Sequence, residues 1–540
     1  MKKLFTLLAI AAIAIVGYLL MTKSKSTDET TITILHTGDI HAQMNVHDEM
    51  IYLNEQITFK QLGGLAHMKT LFDQVKTENP NATLIVDGGD FIQGGAVAAL
   101  SQGRALAPVI EAMEYDFLIP GNWEVVYGKD IMIEVMEQYD APIISANMFH
   151  KDTEEYIFHP YYVRELEGVK VGFISYNDPD VPIRQNPSYS EGIKFTPVEY
   201  NLKETIRQLK EQEQVDVLIL ITHIGLSRQY NLANNPDVEG VDYILGNDTH
   251  ERIRKPIIGK YAKITEPGAF GSFVSRLDIT VKNGEIVSDN YELMEVDPDQ
   301  YKADPTVAQL IEQAAAPYKN QTDEILGYTT TPLYRYFVVE NPMDNFITDA
   351  MRWKTGTDIA LSNGYRFSPP LVPHNDEPTA ITMGDLWNFL PVNDNVKTGS
   401  ATGEQLKNWM EKEINNVFAE NLQERFGGWL VRFSGMTVQF DSSKPMGKRI
   451  IEMTINGEPI DYNKVYTVAS CARAGEPEHV MCRLRETKNT QVMEYTVHEV
   501  IEEYLRVHPT ISPTNDGRAQ ATDLGDNYLF HLPGTDYKFY

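Results

Sequence analysis

Short aliphatic runs alternating with helical stretches predict an α/β layered fold in two domains, behind a hydrophobic N-terminal segment. Three observations carry that expectation. The runs, such as Thr83–Val86 and Val217–Ile221, contain no polar residue in their interior, as strands buried on both faces require. Helical patterns separate them, which is the rhythm of a layered α/β protein. Several of the runs also end directly in Asp, His or Asn, and the strand ends of such sheets are where functional loops gather.

The elements follow in chain order. Met1-Lys2-Lys3 is a positive start, and Leu4 to Met21 is an apolar or neutral run. Residues 1–25 therefore read as a signal or membrane anchor. No small-x-small cleavage site precedes Thr22, and Lys23 and Lys25 follow the run, which favours an uncleaved anchor. Either form places the remaining chain outside the cytoplasm, in the periplasm, with a membrane met only through this segment. A first domain is expected over 30–300. Within it Thr31–Leu35 leads to Asp39 and His41, Thr83–Val86 to Asp90, and Phe117–Ile119 to Asn122. Val217–Ile221 leads to His223, and Tyr243–Leu245 to Asp248 and His250. A linker helix is expected over 301–325, where Asp304-Pro305 is a helix-start signal. A second α/β domain follows over 326–523. The aromatic, Gly/Pro-bearing tail, 524–540, is expected to pack on the surface.

Composition sets limits. With 540 residues and a formal net charge of -29, the protein repels nucleic acid and anionic lipid. A small anionic substrate is repelled as well, so metal ions or arginines at the site have to overcome the field. Cys471 and Cys482 are the only cysteines, too few for a disulfide framework or a structural zinc site.

Taken singly, the polar strand ends have ordinary explanations. Asp90 suits a helix N-cap, Asn122 a turn, His223 a satisfied core position. Jointly they do not. Seven O and N donors, Asp39, His41, Asp90, Asn122, His223, Asp248 and His250, each follow a strand, and two divalent metal ions sharing a carboxylate need such a set. Mixed carboxylate and imidazole donors suit Mn or Zn, and also Fe.

The ordered segments ILHTGDIHAQ, DGGD at 87–90, GNWE at 121–124, THIG at 222–225 and DTH at 248–250 resemble the calcineurin-like metallophosphoesterases. Farther on, ENPMDNFITDAMR and IALSNGYRF resemble the C-terminal domain of 5'-nucleotidases. The resemblance implies a four-layer αββα metallophosphoesterase domain followed by a 5'-nucleotidase-type substrate domain, with a hinge between them. It implies that the seven donors ligate the metals with Asp90 as bridge, that Asn122 and Arg366 are catalytic, and that Arg366 grips the substrate's anionic group. Trp429 or Phe433 would supply an aromatic substrate contact.

Departures from the nucleotidase pattern point elsewhere. Trp123 and Val126 stand where nucleotidases carry a His and an Asp that assist the leaving oxygen. Asp248 stands where the ligand motif has a His, and Ala474–His479 replaces a glycine-rich aromatic motif of the base clamp. These departures, with GNWE followed by a non-acidic residue and Tyr127-Gly128, HAQ at 41–43 and GGWLVRFSGM at 427–436, resemble the thiosulfohydrolases of the periplasmic sulfur-oxidation (Sox) pathway, which release sulfate from a carrier protein's cysteine persulfide. The chemistry agrees. An alkoxide approaches the basicity of hydroxide, whose parent water has a pKa of about 15.7, whereas a thiol has one of about 8.5. A sulfur leaving group departs without an acid. His67 is an alternative proton source. The expected function is thus a two-metal extracytoplasmic hydrolase acting on a sulfonate or phosphate ester, with a small anionic substrate or a sulfur-carrier protein as partner. The rivals are a 5'-nucleotidase with a rebuilt base pocket and a non-catalytic metal-binding protein.

Overall fold

A computed structural model describes residues 29–364, 368–375 and 377–539. The expected signal or anchor, residues 1–25, lies outside the described residues. Among the described residues no helix is long and apolar enough to cross a membrane.

The first domain stacks two sheets. One runs in the order Glu285–Glu295, Phe273–Lys282, Thr30–Thr37, Thr83–Asp87, Phe117–Leu118. The other runs Ile257–Ile258, Lys263–Thr265, Tyr243–Asn247, Val217–His223, Val169–Asn177, Tyr161–Leu166. Side-chain alternation along each strand decides what lies on each face. Ile32 and Ile34 meet Val217, Ile219 and Ile221 in the layer between the sheets. Leu35 and Ile85 point the other way, onto Leu71, Phe72 and Val75 of the helix Leu65–Glu78. Leu218 and Leu220 point outward to Leu202 and Ile206 of one helix and Leu226 and Leu232 of another. Helix, sheet, sheet, helix is the four-layer arrangement, and it explains why these strands read as unbroken apolar runs.

The parallel pairings align the strand ends. Thr37 pairs with Asp87 and Asp87 with Leu118 in the first sheet. In the second, His223 pairs with Asn247 and with Asn177. Loops from both sheets therefore start along one rim.

The helix Pro305–Ala315, capped by Asp304 through Thr306 N and Val307 N, lies where the linker helix is expected and packs on the first domain's outer layer. Its Val307, Ile311 and Ala314 pack into the same cluster as Leu71 and Phe72. The second domain is built on a five-stranded sheet in the order Arg432–Ser434, Ile359–Ser362, Val465–Cys471, Asn395–Thr402, Lys488–Thr496. The helix Pro342–Thr355 lies against it.

The tail packs onto the folded body through its apolar and aromatic residues. Phe530, Leu532, Tyr537 and Phe539 are buried. Tyr537 donates to Glu251 Oε2 at 2.5 Å, reaching back to the first domain. Phe539, Tyr336 and Phe273 surround the Arg252 guanidinium at 4.7, 5.2 and 4.9 Å, and Arg252 pairs with buried Glu49. Three distant chain segments thus close one desolvated ion pair at the domain junction. Local composition signals aromatic content but not where a tail docks.

Candidate metal centre

The rim loops are tied to one another before any ligand is considered. Asp39 N donates to Gly89 O and His41 N to Asp90 O, both at 2.8 Å. Buried Glu124 accepts from Gly121 N at 2.6 Å, Phe91 N at 2.7 Å and Asp90 N at 2.9 Å, so one carboxylate fixes two loops. Gly89 is indispensable here. Its φ is +92°, and a Cβ would lie 2.3 Å from Gly121 N. Asp39, His41, Asp90, Asp248 and His250 all have positive φ. Non-glycine residues pay for that conformation, and clustered examples mark sites where the surrounding structure holds side chains in place.

The seven predicted donors are all buried, none more than 8% exposed. Five of them converge. Asp39, His41 and His250 form one group and Asp39, Asp90 and His223 another, each with its ligand atoms within 4.8 Å of one another. His41 Nε2 faces His250 Nε2 at 3.2 Å, and His223 Nε2 lies 3.1 Å from Asp90 Oδ2. Asp39 is the carboxylate common to both groups, while Asp90 Oδ2 is 3.7 Å from His41 Nε2.

The arrangement fits divalent cations on its own chemistry. His223 Nδ1 is bonded to Gly88 O at 2.7 Å, and His41 Nδ1 to Gln93 O at 3.1 Å. Carbonyl partners place the proton on Nδ1 and turn the Nε2 lone pair toward the cluster, the outer-shell pattern of metal-binding histidines. The charges of the cluster are mutually dependent. Burial, with neighbouring carboxylates adding to it, holds the Asp39 carboxyl well above its ordinary range, while His223 pulls it down. His223 is itself held well above the usual imidazole value, because Asp90 and Asp39 outweigh its burial. Buried carboxylates are paired, protonated or bound to metal, and divalent ions would fill that role for this donor set.

Asn122 and Asp248 sit beside the two groups. Asn122 Nδ2 donates to Asp248 Oδ1 at 2.6 Å, and Gln185 Nε2 donates to Asn122 Oδ1 at 3.0 Å. Asp248 is also gripped by Arg184, a residue sequence reasoning missed. The available signal was Val169–Asn177, a sixth buried strand whose end, Asn177-Asp178, opens into the loop that carries Arg184.

A cleft joins this centre to the second domain. It is lined by His41, Asp90, Trp123 and Arg184 on one side and by Arg335, Arg473, Arg483, Phe426 and Trp429 on the other. Trp429 stands on the cleft wall. Phe433 does not: it is 2% exposed and packs in the core, on a strand where it pairs with Leu361. Arg366 lies outside the described residues. His67 Nδ1 is bonded to Tyr301 O at 2.6 Å, away from the cleft, a structural position rather than a proton source. Burial raises the Cys471 thiol on the cleft wall to about 12, so it is a neutral wall group and not a nucleophile.

Comparison with known proteins agrees with this geometry. Residues 32–252 match the calcineurin-like phosphoesterase family, and residues 322–472 match the 5'-nucleotidase C-terminal domain. The trifunctional nucleotide phosphoesterase YfkN of Bacillus subtilis is 24% identical over 91% of this chain, which spans 35% of that protein's length. Among solved structures, the Thermus thermophilus sulfate thiohydrolase SoxB superposes with a TM-score of 0.81 at 19% identity, covering 93% of this chain and 98% of that one. A 5'-nucleotidase precursor, also from Thermus thermophilus, gives 0.79 at 21% identity, covering 92% and 100%.

Proposed function

We propose, from the premise that this chain belongs to the calcineurin-like phosphoesterases bearing a 5'-nucleotidase C-terminal domain and is therefore a metal-dependent hydrolase of ester-type bonds, that its substrates carry a tetrahedral sulfonate or phosphate whose leaving group departs as a stable anion. An S-sulfonated thiol, free or on a carrier protein, is the substrate class that best meets this. Two divalent ions, manganese or zinc, held by Asp39, His41, Asp90, His223 and His250, would supply Lewis acidity and lower the pKa of a water toward neutrality.

The observation that carries the reading is Trp123. It lines the cleft directly after Asn122, where the nucleotidase pattern has a histidine, and Val126 follows one turn on. Neither side chain offers a titratable proton to a leaving oxygen. General acid catalysis contributes roughly 10²–10⁴-fold, so losing an acid at these two positions disfavours alkoxide leaving groups and leaves thiolates untouched. The chain's own contribution is placement: Asp90 and His223 orient toward the reacting centre, the cleft arginines attract the anion against the global charge of -29, and the second domain covers it. The N-terminal segment supports an extracytoplasmic setting.

A nucleotidase remains the second reading, on one specific ground. Phe426 and Trp429 offer aromatic surface across the cleft, and Asp394 on the same wall is raised by burial to about 6, the range of a usable acid. A metal-supplemented activity screen separates the two. Turnover of S-sulfonated thiols well above nucleoside monophosphates and simple phosphate esters is expected. The reverse order would establish the nucleotidase. Restoring the pair with Trp123→His and Val126→Asp should raise phosphomonoesterase activity by about tenfold or more; no gain would refute the leaving-group argument.

A further inference from the structure

Asp248 replaces a histidine of the ligand pattern, and its carboxylate is not left to a metal alone. Arg184 ends the short helix Val181–Arg184 and grips it from both sides: Nη1 donates to Asp248 Oδ2 at 2.9 Å and Nη2 to Asp248 Oδ1 at 3.0 Å. Nη1 also donates to Asp178 Oδ2 at 2.6 Å. Asp178 is fully buried and its other oxygen accepts from Arg228 Nη1 at 2.9 Å, so the carboxylate that steadies Arg184 is itself fixed. Two carboxylates in these directions define the plane of the guanidinium.

A guanidinium has five N–H donors in a rigid fork. Asp248 occupies the end-on edge, one hydrogen from each Nη, and Asp178 takes the second hydrogen of Nη1. What remains is the side-on edge, the Nε hydrogen and one Nη2 hydrogen, which point the same way. Among the described residues no bond engages either. The side chain is 18% exposed and lines the same cleft as His41, Asp90 and Trp123. Two parallel charged donors match two oxygens of a tetrahedral anion, the geometry for which arginine is superior to lysine.

We propose that Arg184 is a specificity-determining anion anchor, its Nε and Nη2 hydrogens holding two oxygens of the sulfonate or phosphate beside the metal centre. It thereby supplies charge stabilisation that the histidine after Asn122 provides in the nucleotidase pattern. The inference rests on the hydrolase reading of the cleft and adds a residue on its metal-bearing wall. It also accounts for Asp248: a carboxylate at that position orients an arginine as an imidazole could not.

The test uses the full chain loaded with manganese, inorganic sulfate and phosphate as probes, calorimetry for affinity and elemental analysis for metal content. Arg184→Gln is expected to weaken sulfate binding by about 10- to 100-fold, the worth of charge-assisted hydrogen bonds, at unchanged metal content. Arg184→Lys, which keeps the charge but loses the fork, should fall between. Sulfate affinity within twofold of wild type in both variants would overturn the proposal, as would a loss in Arg184→Lys that merely tracks lost metal. A wild-type protein that binds manganese but neither anion would instead count against the cleft's reading as a hydrolase site.

Discussion

The first domain's wall of the cleft and the second domain's wall face the same cavity but are held by different means. On the first, the functional groups sit at strand ends, in left-handed backbone conformations, on loops tied by backbone hydrogen bonds and by Glu124. On the second, they are long side chains, each paired with an acid: Arg335 with Asp344 at 3.1 Å, Arg483 with Glu413 at 2.6 Å, Arg473 with Glu476 at 3.3 Å. The backbone fixes one wall and side chains furnish the other. Chemistry that depends on sub-ångström placement belongs on the first, and substrate choice, which changes by substitution, belongs on the second. Arg184 is the exception, a side-chain device on the backbone-built wall.

The largest effect should follow from breaking the first wall. Asp90→Ala removes a carboxylate that touches His223, His41 and Trp123 N, and should abolish turnover and lower metal content. Arg473→Ala on the second wall should leave metal content intact and raise KM more than it lowers kcat. Equal metal loss in the two variants would erase the distinction between the walls.

Glycine substitutions sharpen the same contrast at the level of stability. Gly89→Ala places a Cβ 2.3 Å from the backbone of Gly121 at φ +92°, where no flexible side chain can yield. A cost of about 3 kcal/mol or more is expected, with metal released as the two loops separate. Gly447, in the second domain, has a similar φ of +88° but nothing within 4 Å of a Cβ. Gly447→Ala should cost only about 1 kcal/mol, the backbone share, and leave metal bound. Urea titration with elemental analysis measures both.

The difference between the walls also explains what could be read from the sequence. Asp39, His41, Asp90, His223 and His250 were legible because each follows its strand within a few residues, so the sheet alone carries them to the rim. Arg184 was not, because its partner Asp248 is 64 residues away, and the buried strand Val169–Asn177 before it marks a rim loop without marking that pair. Phe433 reads as a cleft residue from its neighbourhood with Trp429, yet strand alternation turns it into the core. The tail's aromatic content was legible, but the surface those residues bury against, Arg252 and Glu251, is set by tertiary packing.

The last effect concerns pH, and it again divides the two domains. His498 is buried on the helix Val497–Val507, donates through Nε2 to Leu390 O at 2.7 Å and meets the Trp387 ring edge-on at 4.4 Å. Burial lowers its pKa to about 4, against 6.5 when exposed. Between these values the unfolded chain holds the extra proton, so stability rises with pH across the window and is lost as pH falls from about 6.5 toward 4. On acidification to pH 5 the loss is about 2 kcal/mol from this one group. His36 in the first domain is lowered likewise to about 4, but its partner Asn247 touches Asp39, so metal binding overlays its titration there. His498 has no such neighbour and reports the fold alone. His498→Gln keeps a donor for Leu390 O without the titrating ring, and should therefore lose less stability than wild type between pH 7 and 5 in urea melts with chelator present. Equal losses in the two proteins would show that His498 does not carry the second domain's acid sensitivity.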